Sequence, residues 1–301
     1  MRKGIALLLT LFFMMLIAVA VGMGLQTVND SRKEIEKEQF MLQSSMFVQD
    51  VLSLLRNSPE IKAVLDDNTS TSLYALVTES STIPLQSGEY QVLVSLKSAR
   101  DRFNINELVD KKGKVNEKRF NALRDLLIGY GLQEELGWMF VDTLRGNREG
   151  EYFTDIFYTE TELFREYMAS WYHLETVLLY YKKKYHENVF AVLDFESLFC
   201  FERDRHAKID LNYATPLTWQ LLLGCTIERA MQLVQNEGTY ESMEDLQLDE
   251  EEKRRLKNFR TSFFEPIVAV QMQIRKEDQS AIIAFEYDLK TQRAKNFVYE
   301  L

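Results

Sequence analysis

The chain is poor in the residues that do covalent chemistry or hold metals. Its 301 residues include two cysteines, Cys200 and Cys225, and three histidines, His173, His186 and His206. The cysteine spacing fits no zinc or redox motif, and one pair is not a disulfide framework. Free thiols and a single bridge both stay open. The histidines share no ligand spacing, and no H-E-x-x-H, G-x-S-x-G, phosphate-binding loop or dinucleotide fingerprint occurs. Carboxylates are abundant, but no pair is set apart as acid and base, so the chain is read as a non-enzyme. Proline is scarce, with four residues at 59, 84, 216 and 266, which leaves long stretches free to be helical. Positive charge is short as well: 36 lysines and arginines face 46 acids, for a net charge of −10. Nucleic-acid phosphates demand a basic surface, so a nucleic-acid partner is not expected. The excess negative charge is read as solubility.

Hydrophobic residues, in contrast, make up 46% of the chain and aromatics 12%, enough for a packed core. The only long uncharged run is at the start, "MRKGIALLLTLFFMMLIAVAVGMGLQ". Its 21 residues from 5 to 25 match the roughly 20 that a helix needs to cross a bilayer core. Arg2 and Lys3 would leave the short N-terminal end in the cytoplasm. Three fates are compatible with this run. It also fits a signal peptide, with Ala18-Val19-Ala20 as an A-x-A cleavage site, or a retained anchor. No helix breaker appears between residue 25 and Ser58-Pro59. Val28, Ile35, Phe40, Leu42, Phe47, Val51, Leu54 and Leu55 suggest an amphipathic continuation. One helix over 5–56 is therefore expected, greasy in its first half and packed on a globular domain in its second.

That shape resembles the type IV pilin-like subunits. In that class a short basic leader ends in glycine, and a prepilin peptidase cuts before the apolar run. The resemblance implies cleavage after Gly4 and N-methylation of Ile5. Most pilins place glutamate at the fifth mature position, which here is Leu9. One group lacking that glutamate is the K minor pseudopilin (GspK) of type II secretion, a tip subunit with no preceding amine to pair.

The rest of the chain divides by pattern. Residues 66–72 and 80–88 are polar and turn-rich. Residues 90–96, 267–274, 280–289 and 295–299 alternate as strands, the last three at hairpin spacing. Between them, 116–129, 134–142, 160–185, 215–223, 227–235 and 248–259 have helical spacing. The expected architecture is α+β: a long N-terminal helix on a small antiparallel sheet, interrupted by a large all-α insertion. The pairs Glu250/Arg254 and Glu251/Arg255 mark 248–259 as a solvated helix.

Three stretches carry local chemistry. In "SLKSARDRFNINELV" (95–109), Asn104 and Asn106 suit a turn anchored by Phe103, Ile105 and Leu108. In "TETELF" (159–164), Thr159 with Glu162 fits a capping box. The aromatics that follow, Phe164, Tyr167, Trp171, Tyr172, Tyr180, Tyr181 and Tyr185, are read as core. In "KIDLNYATPLTWQLLLGCTIERAMQLVQNEGTYESMEDL" (208–246), Thr215-Pro216 starts a helix. Its Gly224-Cys225-Thr226-Ile227 hairpin has one glycine and no nearby basic cluster, so it is read as scaffold rather than a DNA-binding hairpin.

In their order along the chain these stretches are similar to the K pseudopilin family. The resemblance implies a leader at 1–4 and a helix at 5–57, of which 5–25 is transmembrane. It further implies a pilin-like domain from 58–102 with 261–301, and an inserted α-domain at 103–260 with a helix-hairpin-helix-like unit at 208–246. The implied function is a minor pseudopilin that starts or caps the periplasmic pseudopilus tip. The implied place is the bacterial inner membrane, single-pass, with the bulk of the chain periplasmic. The implied partners are I- and J-type minor pseudopilins, the major pseudopilin and the prepilin peptidase. Some members bind calcium in the α-domain, and the matching segment here offers Asp142 with Glu149 and Glu151, although Leu144 stands where a ligand is expected. A plain surface loop is the competing reading there. A minor pilin of a type IV pilus or competence system, and a signal-anchored periplasmic binding protein, are the competing functions.

Overall fold

The computed structural model describes residues 2–80, 82–146 and 152–300; side chains of residues 2–13, 15–20 and 24 lie outside that description. Helix α1 (Arg2–Asn57) runs 56 residues without a break, about 84 Å at ~1.5 Å per residue. It ends where the breaker stands. Ser58 caps α2 (Pro59–Asp67), its hydroxyl accepting the Ile61 amide at 3.1 Å. The polar stretch expected as loop at 66–72 is instead two helix ends back to back. Asn68 closes α2 in the left-handed conformation, and Thr69 caps α3 (Ser70–Glu79). The second polar stretch also differs from expectation, because β1 (Ile83–Ser87) lies inside 80–88. Pro84 is tolerated there because β1 is an edge strand.

β1 pairs with β2 (Tyr90–Ser98), and the chain then leaves the sheet for 168 residues before returning as β7 (Ile267–Lys276), β8 (Gln279–Asp288) and β9 (Arg293–Glu300). The sheet is fully antiparallel, in the order β1-β2-β7-β8-β9. Register lines the inward residues into rows. Val94, Met272 and Ile283 form one row, and Leu96, Val270 and Phe285 the next. This face packs on Phe40, Phe47, Val48, Val51 and Leu55 of α1, with Ile61, Val64, Leu73 and Val77 of α2 and α3. Burying the five α1 side chains contributes on the order of 10 kcal/mol. Tertiary packing, not helix propensity, therefore holds this part of α1.

The insert has its own core. It runs through β3 (Phe103–Asn104), a 3₁₀ turn at Ile105–Leu108, α4 (Glu117–Gly129), α5 (Glu135–Leu144), α6 (Ile156–Thr159), α7 (Trp171–Tyr185), α8 (Val189–Val192), α9 (Phe195–Leu198), β4 (Phe199–Cys200), β5 (Ile209–Asp210), α10 (Pro216–Leu223), α11 (Ile227–Val234), α12 (Glu250–Leu256) and β6 (Thr261–Ser262). The helix expected over 160–185 is only Trp171–Tyr185, capped by Ser170, and the Thr159/Glu162 capping box does not form. The reason is tertiary. Asn106 takes the Met168 backbone at both polar groups, which holds this segment off the helical path. The capping box lies elsewhere, between Asp249 and Glu252 at the start of α12. Of the two expected pairs on α12, Arg255–Glu251 forms at 3.4 Å, while Glu250 pairs with Lys253 instead of Arg254.

Chain entry and exit lie side by side, the Ala99 amide donating to the Ile267 carbonyl at 3.0 Å. Further links tie the insert to α3. The Ser70 hydroxyl donates to the Phe263 carbonyl at 2.6 Å, and Gly238 lies so close to Tyr74 that no Cβ fits.

Candidate assembly surface and the insert's polar sites

α1 presents two faces of opposite kind. The sheet-facing stripe is buried, whereas Val21, Val28, Ile35 and Leu42 are 55%, 67%, 54% and 68% exposed. A spacing of seven keeps these four on one side of the helix, and Met46 extends the line. The apolar positions read from the sequence as one amphipathic stripe therefore divide between the sheet and an open seam. Such a seam is the packing surface that one helix offers another. The processing residues Gly4 and Ile5, with Leu9, fall within the α1 backbone, but their side chains lie outside the described residues. Among the described residues no helix is long and apolar enough to cross a membrane, and the expected span at 5–25 falls largely on side chains outside them.

Two motifs of the insert, Asn104-Ile105-Asn106 and Asp210-Leu211-Asn212, form the same polar knot. In each, the first side chain accepts the backbone amide of the third residue, at 3.2 and 3.0 Å. The third residue then clamps a distant backbone. Asn106 Nδ2 donates to the Met168 carbonyl at 2.9 Å and to the Glu202 carbonyl at 3.1 Å, while the Met168 amide donates back at 2.7 Å. Asn212 Nδ2 donates to the Tyr240 and Phe263 carbonyls, both at 2.8 Å, while the Tyr240 amide donates back at 2.8 Å. Both asparagines are fully buried and fully bonded. Each knot opens on a two-residue parallel bridge, β3 with β4 and β5 with β6. Burial without a cationic partner pushes the Asp210 carboxyl up to about 7, against the pull of its two amide donors.

The hairpin in 208–246 follows its sequence reading. Thr215 caps α10, Gly224 takes the left-handed conformation that closes it, and Thr226 caps α11. Arg255 of α12 lies directly against Gly224, and Asp249, Glu251 and Glu252 line the same hollow.

Of the residues offered for calcium, Asp142 is fully buried at the end of α5. Its carboxylate accepts the Phe153 amide at 3.0 Å, and the Thr154 amide and hydroxyl at 2.7 and 2.8 Å. Burial nonetheless holds its pKa above the usual range. Glu149 and Glu151 lie outside the described residues, and among the described residues no group of three metal-ligating side chains occurs. Asp142 caps the loop at Phe153 and Thr154. The aromatic run is only partly core: Tyr180 and Tyr181 are buried, while Phe164 and Tyr172 are 47% and 78% exposed. Cys200 and Cys225 are free, and burial pushes their thiols up to about 12 and about 11.

A charged cluster at the boundary between insert and sheet was not legible from the sequence. Arg100, just after β2, lies 2.5 Å from Glu202 of the insert and 3.1 Å from Glu286 of β8. Lys295 of β9 reaches the same two carboxylates, at 2.9 and 3.6 Å. Arg100 and Glu202 are 4% and 2% exposed. Glu286 falls on the strand face that alternation assigns to solvent, so nothing local marks it as buried.

No protein-family model matches the chain, and no curated protein matches it. Among solved structures, the chain is similar to one from the GspK-GspI-GspJ complex of the enterotoxigenic Escherichia coli type 2 secretion system. The TM-score is 0.54 at 13% identity, covering 90% of this chain and 97% of that one. The chain has a GspK-like fold.

Proposed function

We propose that the chain is a minor pseudopilin of a type II secretion system that starts or caps the pseudopilus tip. The observation that carries the reading is the exposed seam on α1, Val21, Val28, Ile35 and Leu42, on a chain with a GspK-like fold. A helix burying one stripe on its own sheet and exposing another needs a second surface to cover it. Equivalent helices of I- and J-type minor pseudopilins and of the major pseudopilin supply that surface. The solved structure of similar fold comes from a complex containing GspI and GspJ. On this reading the prepilin peptidase cuts after Gly4 and Ile5 is methylated. The apolar run at 5–25 sits in the inner membrane with its N-terminus cytoplasmic, and the sheet and insert lie in the periplasm. Leu9 suits a first subunit, since a carboxylate in lipid is costly without an amine to meet it.

Mass spectrometry of the mature N-terminus is the first test. Methylated Ile5 supports the reading, while a start at Val21 or an intact Met1 overturns it. The second test is co-purification with I- and J-type pseudopilins from cells expressing all three. Leu42→Asp should abolish capture without lowering the melting temperature, because Leu42 touches no core. Unchanged capture by that variant removes the seam from the interface.

A further inference from the structure

The chain is acidic as a whole, yet one hollow of the insert is basic. It has a volume of about 570 Å³ and is bounded by the turn at 110–113, the end of α5, residues 166–167 and the loop after β4. Lys111, Lys112, Arg145, Arg203 and Arg205 line it, against the acids Asp110 and Glu166. Five cations against two acids leave a surplus of three positive charges, on a chain whose net charge is −10. Among the described residues neither acid forms an ion pair with these cations. The Asp110 carboxylate is turned onto its own loop, accepting the Lys112 and Lys114 amides at 2.8 and 2.9 Å. The Arg205 guanidinium is fixed by carbonyls instead. It donates to the carbonyls of Val109, Asp110 and Glu166, the last at 2.7 Å. Carbonyl oxygens satisfy N–H groups but leave the unit charge in place. Arg203 lies over the Tyr167 ring, 5.2 Å from its centroid, which holds the guanidinium plane. Among the described residues the side chains of Arg203 and Lys111 make no hydrogen bond and no ion pair. Like charges gathered in one hollow repel, and a bound anion removes that cost.

We propose that this hollow binds a small anion carrying two phosphoryl groups. Its volume falls within the roughly 300–1,000 Å³ of small-molecule sites. Of the side chains lining it only Leu144 and Tyr167 are uncharged, so it suits a charged ligand and not an apolar one. Guanidinium forks match phosphoryl oxygens in pairs, and a lysine adds a compact point charge. Charge sets the number of groups. One phosphoryl group brings about −1.5 to −2 at neutral pH, so two meet the surplus of three and one does not. A lone carboxylate falls further short. Arg203 and Lys111 supply the unpartnered donors, while Arg205 adds a cation already held in place by backbone. Arg145 braces the wall, donating to the Gly113 carbonyl at 3.3 Å. A soluble diphosphate and a lipid headgroup with two phosphates share this chemistry.

The test is calorimetric titration of the full chain, in dodecyl maltoside micelles free of divalent metal, with sodium pyrophosphate. One-site binding is expected, with orthophosphate about tenfold weaker because it meets only part of the charge. Arg203→Gln and Lys111→Gln change exposed side chains outside the core. Each should weaken pyrophosphate about tenfold and leave the melting temperature unchanged. Lys182→Gln, on α7 and outside the hollow, should bind as the native chain does. Absence of binding overturns the site, and so does unchanged affinity in either hollow variant. Citrate binding as tightly as pyrophosphate overturns the assignment to phosphoryl groups. Micelles doped with cardiolipin, whose headgroup carries two phosphates, separate the two sources. Displacement of pyrophosphate supports the proposal with a lipid ligand, and pyrophosphate binding without displacement supports it with a soluble one. The hollow shares no residue with the α1 seam, so this site can fail while the pseudopilin reading stands, and the reverse.

Discussion

The sheet and the insert are stabilised by different physics within one chain. In the sheet, alternation decides burial: Val94, Met272 and Ile283 face α1 while Leu93, Gln273 and Ile282 face away. Every inward residue adds a similar increment, and no polar side chain has to reach a distant partner to close that core. In the insert, apolar packing is dense, but its course is set by two asparagine knots bonding backbone far along the chain. Asn106 joins Met168 and Glu202, and Asn212 joins Tyr240 and Phe263. A periodic surface tolerates graded damage, whereas a segment positioned by one fully bonded buried amide should lose its course all at once.

The comparison can be broken by mutation, and a convenient probe exists. Trp138, Trp171 and Trp219 all belong to the insert, so tryptophan fluorescence follows the insert while far-UV circular dichroism follows the whole chain. Met272→Ala opens a cavity in the sheet row and should cost about 2–5 kcal/mol in urea unfolding. The circular dichroism transition should move further than the fluorescence transition; equal shifts would mean that the two cores unfold as one. Asn106→Ala strips three bonds from a fully buried site and should cost about 2–3 kcal/mol, seen first in fluorescence. Asn212→Ala should match it within about 1 kcal/mol if the knots are equivalent. Asp142→Ala removes the cap on the Phe153–Thr154 loop and should cost about 1–2 kcal/mol, only partly recovered by Asp142→Asn, whose amide nitrogen cannot accept from the second backbone N–H. Ser70→Ala deletes one link between α3 and the insert and should cost only about 1 kcal/mol. Its value lies in showing whether the two transitions separate when that contact goes.

Several elements were legible because their signals are local. The unbroken polar and apolar run up to Ser58-Pro59 foretold α1, and hairpin spacing foretold β7, β8 and β9. Thr215-Pro216 and Gly224 bracketed α10 as their backbone preferences require. The failures share a cause. Residues 160–170 have helical composition, but Asn106, 62 positions from Met168, claims their backbone. The polar stretch at 66–72 carried two caps, Asn68 and Thr69, that composition alone merges into one loop.

By itself, then, the sequence determined the ends of α1 and α10 and the hairpin strands, where a breaker, a proline start or a two-residue period marks them. The tertiary structure alone decided which apolar residues of α1 face the sheet and which form the open seam. It also decided that Glu286, on a face patterned for solvent, is enclosed with Arg100, Glu202 and Lys295. The reason is range: periodicity and capping act over a few residues, whereas burial of a charge depends on groups up to 186 positions apart that only the folded chain brings together.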